Sequence, residues 1–322
     1  MRCLCCGKEF DKNSKPEELS TGWHNSCIRK FFGTNELPII DVSNDTLKNL
    51  VDKSIEQGYT VPGVQKKLSL HLSNETNTPR LTSVNYPTGY ILKPQTNDYP
   101  HLPEVEYLVM SMARATKINT VPFALLRTND SQYAYITKRI DRIINKNDTE
   151  LLAMEDFCQL DNRLTADKYN GSYERCAKVI EKYSETDGLD ESELFLRLVF
   201  SFVTGNSDMH LKNFSLIETK SGSNEYHLSQ AYDMLPVNII IKEDKDEFAL
   251  TMNGKKQDIE KKDFMIFAEN CNINQKSAEK IINKVISMKD TYLKMCQESY
   301  LPDEMKASLE ELICKRISVL CK

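Results

Sequence analysis

The stretch from Asp190 to Phe202 constrains this chain more than any other. It is strongly apolar at helical length, and it falls short of the roughly 20 residues that a bilayer core requires. A helix of that kind belongs inside a helical unit. Its continuation, Val203-Thr-Gly-Asn-Ser-Asp208, carries Gly205 and Asn206 and breaks into a loop. With 322 residues and 40% hydrophobic composition the chain can bury a substantial core, so an ordered protein is the expectation.

Three zones follow one another: a cysteine-rich start (1–36), a strand-rich stretch (37–145) and a helical remainder (146–322). In the middle zone Leu68-Ser-Leu-His-Leu72 alternates as a half-buried strand does, and Gly89-Tyr-Ile-Leu-Lys93 is a second strand bounded by Pro87 and Pro94. From Glu104, after Pro103, the spacing predicts a helix with Val105, Leu108, Val109, Met112 and Ala113 on one face. Val121 to Leu126 and Tyr133 to Thr137 flank the turn-forming Asn129-Asp130-Ser131 and predict a hairpin. Amphipathic helices are expected over about 258–272, 275–298 and 303–321. The fold class is therefore α+β, with a strand-rich small lobe, a helical large lobe and a small N-terminal knuckle.

The formal net charge of -5 argues against a chain-wide basic surface, so nucleic acid would have to be met by a local patch or through a partner. No run spans a bilayer and Met1 to Lys8 lacks a signal-peptide core, so a cytoplasmic protein with no membrane role is expected. Of the ten cysteines, Cys158, Cys176, Cys271, Cys296, Cys314 and Cys321 lie scattered in apolar or helical surroundings, which suits reduced packing residues.

The remaining cysteines cluster. Cys3 and Cys6, and His24 and Cys27, form two pairs, each separated by two residues, the spacing at which both side chains of a knuckle reach one tetrahedral ion. Zinc held by Cys3, Cys6, His24 and Cys27 is the economical assignment, with Cys5 outside the set. Gly7 supplies the tight turn, and Trp23 is placed to shield one side. Four protein ligands leave no open position, which favours a structural ion. A contact with nucleic acid or a partner through Arg29, Lys30, Phe31 and Phe32 stays open, and a redox Cys-x-x-Cys reading is weaker.

Phosphoryl transfer needs a carboxylate near the attacking hydroxyl, oxygen ligands for magnesium and a cation on the phosphates. Asp208 precedes Asn213 by five residues, as in an Asp-x-x-x-x-Asn catalytic loop, with His210 between them. A short strand from Phe214 to Ile217, a polar turn at Ser221 to Asn224 and a return through Tyr226 bring Asp233 back as the second magnesium ligand. Lys93 at a strand end and Glu106 one turn into the next helix suit a phosphate-holding lysine oriented by a carboxylate. Tyr59 to Lys67 contains Gly63, and its amides, with Lys66 or Lys67, can cover phosphates. Taken singly, each position has a plain alternative: Lys93 as a snorkelling strand-end lysine, Glu106 as a solvated helix residue, Gly63 as an ordinary turn. Their order along the chain is what argues for the chemistry.

The motifs Gly63-Val-Gln-Lys-Lys-Leu68, Tyr90-Ile-Leu-Lys-Pro94, Lys138-Arg-Ile-Asp-Arg142, Glu155-Asp-Phe-Cys-Gln159, Lys168-Tyr169 and Asp208-Met-His-Leu-Lys-Asn-Phe214 resemble, as an ordered set, the HipA family of bacterial toxin kinases. The resemblance covers about residues 55–320 and implies a two-lobed protein-kinase-like fold with ATP-dependent phosphorylation of serine or threonine. It implies Asp208 as catalytic base, Asn213 and Asp233 on magnesium, and Lys93, oriented by Glu106, on phosphate. Gly63, Val64, Gln65 and Lys67 fall in the phosphate loop, His210 at a nucleotide-contacting position, and Lys138 to Ile140 at the adenine hinge. Thr60, with Pro62 behind it, matches the serine whose autophosphorylation silences family members.

With only a cysteine module before the kinase core, the chain looks like the shortened HipT-type kinases. That likeness implies a helix-turn-helix antitoxin and a small HipS-like subunit as partners, with DNA met through the antitoxin. The implied substrate is an aminoacyl-tRNA synthetase, whose modification halts translation. Two other functions stand beside this one. The Asp-x-His-x-x-Asn core is also similar to lipid kinases, which leaves a small-molecule or lipid kinase open, and an inactive zinc-bearing regulatory module is the reading without an enzyme.

Overall fold

The computed structural model describes residues 1–40, 67–73, 78–82, 88–145 and 149–322. The chain divides into two compact units, one of Met1–Tyr107 and Val121–Thr149, the other of Leu108–Thr120 and Glu150–Lys322.

The first unit is built on a five-stranded sheet of order β2-β1-β3-β5-β4, with β1 Leu68–Ser73, β2 Arg80–Thr82, β3 Tyr90–Lys93, β4 Phe123–Arg127 and β5 Tyr133–Lys138. All its pairings are antiparallel, and the register sets Leu68 opposite Leu92, Leu92 opposite Ile136 and Leu125 opposite Tyr135. Leu68 and Leu70 are buried while Ser69 and His71 are partly exposed, as the alternation predicts. On β5, Ala134 to Thr137 are buried without alternation, because this strand lies between two neighbours and is covered on both faces. The β4–β5 turn closes at Asn129 to Ser131, with Thr128 Oγ1 donating to Asp130 Oδ1 at 2.5 Å and Ser131 in the left-handed region at φ 60°.

The cysteine-rich start packs on this sheet. Helix α1 (Pro16–Thr21) and α2 (Asn25–Phe32) each end at a left-handed glycine, Gly22 and Gly33. Trp23 is fully buried, and its indole Nε1 donates to the Leu125 carbonyl at 3.1 Å, while the Leu125 amide donates to the Leu4 carbonyl at 2.9 Å. Phe31 and Phe32 pack around Trp23, and both also meet Tyr90 of β3. Aromatic burial thus welds the knuckle to β3 and β4.

Helix α3 (Leu102–Ala115) differs from its periodicity in one respect. Every residue from Leu102 to Met110 is buried, so over this stretch the helix is covered all round and not along a single face, while Arg114 in its last turn is exposed. Short strands β6 (Arg142–Ile144) and β7 (Thr149–Leu151) follow β5.

The second unit holds a three-stranded antiparallel sheet of order β10-β9-β8, with β8 Met154–Asp156, β9 Ser215–Glu218 and β10 Tyr226–Leu228. Around it lie α4 (Phe157–Leu160), α5 (Tyr173–Tyr183), α6 (Asp187–Thr204), α7 (Val237–Ile240), α8 (Lys261–Asn270), α9 (Gln275–Ser287), α10 (Lys289–Gln297) and α11 (Asp303–Leu320). Helix α6 is the axis of this unit: Leu194 to Thr204 are all buried, and α5, α9 and α11 pack against it. Phe195, Phe202, Phe248, Phe264 and Phe267 interlock around it, mostly edge to face. The helix expected over 275–298 is two helices, because the chain makes a tight turn at Met288 before Tyr292 buries its ring and bonds Thr116 through its hydroxyl.

Candidate functional site

Where α6 ends, Gly205 adopts φ 71°, and a Cβ there would lie 2.3 Å from Leu312 Cδ2. Only glycine serves this turn, which releases the chain into the loop 206–213. The loop is held by its own hydrogen bonds. The Asp208 carbonyl accepts both the His210 amide at 2.8 Å and the Asn213 Nδ2 at 2.7 Å, and the Asn213 amide donates to the His210 carbonyl at 2.9 Å. Asn213 is buried, and with Nδ2 engaged its Oδ1 is the atom left for a cation.

Neighbouring elements fix the loop further. The Tyr173 hydroxyl of α5 donates to the Met209 carbonyl at 3.1 Å. Lys212 Nζ pairs with Asp156 Oδ2 at 2.5 Å, and Asp156 in turn caps α4 by accepting the Gln159 amide at 2.9 Å. The motif Glu155-Asp-Phe-Cys-Gln159 therefore works as a capping box that anchors the loop to β8.

Asp233 returns to the same place. Past β10, the Ser229 amide donates to the Ser215 carbonyl, and the Tyr232 hydroxyl bonds Ser215 Oγ at 2.6 Å and the Lys212 carbonyl at 3.2 Å. Asp233 then sits at φ 59°, in the left-handed region that aspartate and asparagine adopt more readily than other non-glycine residues. His210 is buried; burial lowers its imidazole below the ordinary range, the Asp208 and Asp233 carboxylates pull the other way, and Lys168 reinforces the lowering. Asp208, His210, Asn213 and Asp233 are thus brought together within the second unit.

Tyr169, quoted in the sequence only as half of a two-residue motif, is the neighbour that sequence reading missed. Its hydroxyl donates to Asp208 Oδ1 at 2.6 Å and its ring stands edge-on to His210 at 5.0 Å. A contact across so many residues leaves no periodic trace in the chain.

In the first unit, Lys93 Nζ lies 2.6 Å from Glu106 Oε1, with side-chain exposures of 4% and 0%, and 5.3 Å from the Tyr135 ring centroid. Both ends of this pair are out of water, so it is sustained by geometry and by matched charge. Lys67 precedes β1, and Lys138 ends β5, where burial lowers its ammonium pKa. After it, Ile140 is half-buried and Asp141 binds both the Arg139 and Arg142 guanidiniums, which bend this segment into a fixed corner. Burial raises the Asp141 carboxyl, but the two guanidiniums outweigh it and hold it well below the usual carboxylate range. Thr60, Gly63, Val64 and Gln65 lie outside the described residues.

The ligand atoms of Cys3, Cys6, His24 and Cys27 lie within 4.8 Å of one another. His24 Nδ1 faces Cys6 Sγ at 3.4 Å and Cys27 Sγ at 4.0 Å, and the His24 amide donates to Cys3 Sγ at 3.4 Å. Gly7, at φ 72°, closes the first knuckle by donating to the Cys3 carbonyl. Three thiols and an imidazole at these separations fit a tetrahedral zinc with Zn–S near 2.3 Å and Zn–N near 2.0 Å. The ring packed on His24 is Phe10, tilted at 46° with centroids 4.5 Å apart, while Trp23 is committed to the Leu125 carbonyl.

The family described as "HipA-like C-terminal domain" matches residues 59–292. The chain belongs to that family. A Haemophilus influenzae protein named "Putative kinase" is 26% identical over 349 residues, covering 99% of this chain and 97% of its own length. A Sinorhizobium fredii protein named "Putative kinase Y4dM" is 31% identical over 62% of this chain and half of its own length. Among solved structures, the Shewanella oneidensis HipA of a complex with HipB and operator DNA superposes with a TM-score of 0.67 at 16% identity, covering 87% of this chain and 70% of that one. The Helicobacter pylori proinflammatory kinase CtkA superposes with a TM-score of 0.51 at 14% identity over 81% and 90%. The fold is that of the HipA-like kinases.

The buried Lys93–Glu106 pair generates a prediction about stability. Glu106→Ala leaves a buried ammonium without its carboxylate and is expected to lower unfolding free energy by about 3–5 kcal/mol, whereas the paired replacement Lys93→Met with Glu106→Leu recovers most of the loss. Urea denaturation of the full chain distinguishes the two, and a double variant no more stable than Glu106→Ala contradicts the assignment.

Proposed function

We propose that this chain is an ATP-dependent serine/threonine protein kinase that acts as the toxin of a toxin–antitoxin pair. The observation that carries the activity is the self-bonded loop 206–213, which presents the Asp208 carboxylate and the Asn213 amide oxygen, with Asp233 near enough to act on the His210 imidazole between them. In this reading the Asp208 carboxylate accepts the proton of the substrate hydroxyl. Asn213 and Asp233 are the oxygen donors that would hold magnesium, which when bound to ATP offsets charge on the transferring phosphate. In the first unit, Lys93 is the cation assigned to the nucleotide phosphates, and Glu106 keeps its ammonium in place. His210, whose imidazole burial pushes below its ordinary range, is assigned to contact the nucleotide.

The family supports a toxin role, and the Shewanella relative in complex with HipB and DNA supports a helix-turn-helix antitoxin as partner, with DNA met through it. We assign the chain to the HipT-like type, with an aminoacyl-tRNA synthetase as the class of substrate and a small HipS-like subunit as a further partner. No helix among the described residues is long and apolar enough to cross a membrane.

Activity is tested by incubating purified chain with γ-labelled Mg·ATP and bacterial extract. Wild type is expected to label protein, and Asp208→Asn to do so at least about a hundredfold more slowly. Label entering only small molecules, or equal labelling by the two proteins, contradicts the reading. In cells, expression of wild type is expected to arrest growth, and Asp208→Asn is expected not to arrest it.

The N-terminal cluster is assigned to one structural zinc on Cys3, Cys6, His24 and Cys27. Metal analysis should find one zinc per chain, and Cys27→Ser or a strong chelator should remove it and lower the thermal midpoint. A chain that purifies folded, stable and free of zinc overturns this assignment.

A further inference from the structure

Resting on the kinase reading above, we propose that Tyr169 is a positioning residue that sets the orientation of the Asp208 carboxylate. Among the described residues, the hydrogen bond that reaches this carboxylate comes from the Tyr169 hydroxyl, at 2.6 Å to Oδ1. His210 Nε2 stands at 4.0 Å, beyond hydrogen-bond reach. The Asp208 side chain is 36% exposed on a loop, so without a donor its carboxylate would turn freely in water.

The donor is itself braced. The Tyr169 ring is held edge-on by His210 at 5.0 Å and covered by Lys168 Nζ at 4.9 Å. The Lys168 carbonyl accepts the Leu211 amide at 3.2 Å, which ties the Tyr169 loop to the loop it serves. Behind it, Arg163 donates to the Asn170 carbonyl, and Asp161 takes both Arg163 and, at 2.5 Å, Arg175. Such bracing is what a positioning group requires, since orientation contributes to rate only if the positioner is more rigid than the group it orients.

With Oδ1 engaged, Oδ2 is the oxygen left to meet the substrate hydroxyl. The hydroxyl oxygen forms its bond to the γ-phosphorus as the bond from that phosphorus to the bridging oxygen of ATP breaks; the hydroxyl proton passes to Oδ2, and ADP leaves with the bonding pair. Tyr169 keeps its own proton, because burial first, and then the adjacent carboxylate, raise the phenol above its ordinary range. It orients the base and takes no part in the transfer.

The test compares wild type, Tyr169→Phe and Asp208→Asn with Mg·ATP and bacterial extract protein as acceptor. Phe keeps the ring, the His210 contact and the Lys168 contact, and removes the hydroxyl alone. Tyr169→Phe should reduce apparent kcat about tenfold to a hundredfold, with KM for ATP within twofold and a thermal midpoint matching wild type. A kcat within twofold of wild type overturns the inference, as does a loss of kcat matched by a raised KM for ATP or a lowered midpoint, which indicates a structural role. If wild type transfers no phosphate, or Asp208→Asn transfers as well as wild type, the kinase reading falls and the inference falls with it.

Discussion

Everything in the larger unit depends on the need to cover helix α6. Leu194 to Thr204 are buried on every side, and α5, α9 and α11 are the elements that bury them. A helix so enclosed cannot drift, so its C-terminus is a fixed point. Gly205 converts that point into a sharp exit, and the loop that follows inherits the rigidity of the core. A flexible exit would leave Asp208 at no fixed place, whatever the spacing of its neighbours.

On this foundation the loop uses main-chain chemistry first and side chains second. The Asp208 carbonyl collects the His210 amide and the Asn213 amide nitrogen, which fixes Asn213 with its oxygen available. Lys212 pairs with Asp156 and serves as an anchor. Tyr232 performs the matching task for Asp233 through Ser215 and the Lys212 carbonyl. The same economy holds in the smaller unit, where aromatic burial of Trp23, Phe31 and Phe32 makes the cysteine module part of the sheet.

Local features were legible in the sequence. Alternation at Leu68 and Leu70, the turn at Asn129 to Ser131 and the apolar helix ending at Gly205 each depend on neighbours within a few residues, and the structure contains them. The cysteine and histidine pairs were legible for the same reason, since ligand spacing is local chemistry. Features decided at long range were not. The all-round burial of α3 from Leu102 to Met110, the committed indole of Trp23, the ring of Phe10 on His24 and the bond from Tyr169 to Asp208 all depend on which distant segment arrives. No periodicity encodes such meetings. The turn at Met288 belongs with them, because an unbroken amphipathic pattern runs across it.

The central claim is that Asn213 and Asp233, beside Asp208, form a cation site for phosphoryl transfer. It is tested most directly by crystallising the chain with manganese and a non-hydrolysable ATP analogue and recording the anomalous signal. The account predicts a peak bridging the Asn213 Oδ1 and the Asp233 carboxylate at about 2.2 Å from each, with the analogue's phosphates against it. A bound nucleotide whose metal peak lies away from both residues contradicts it.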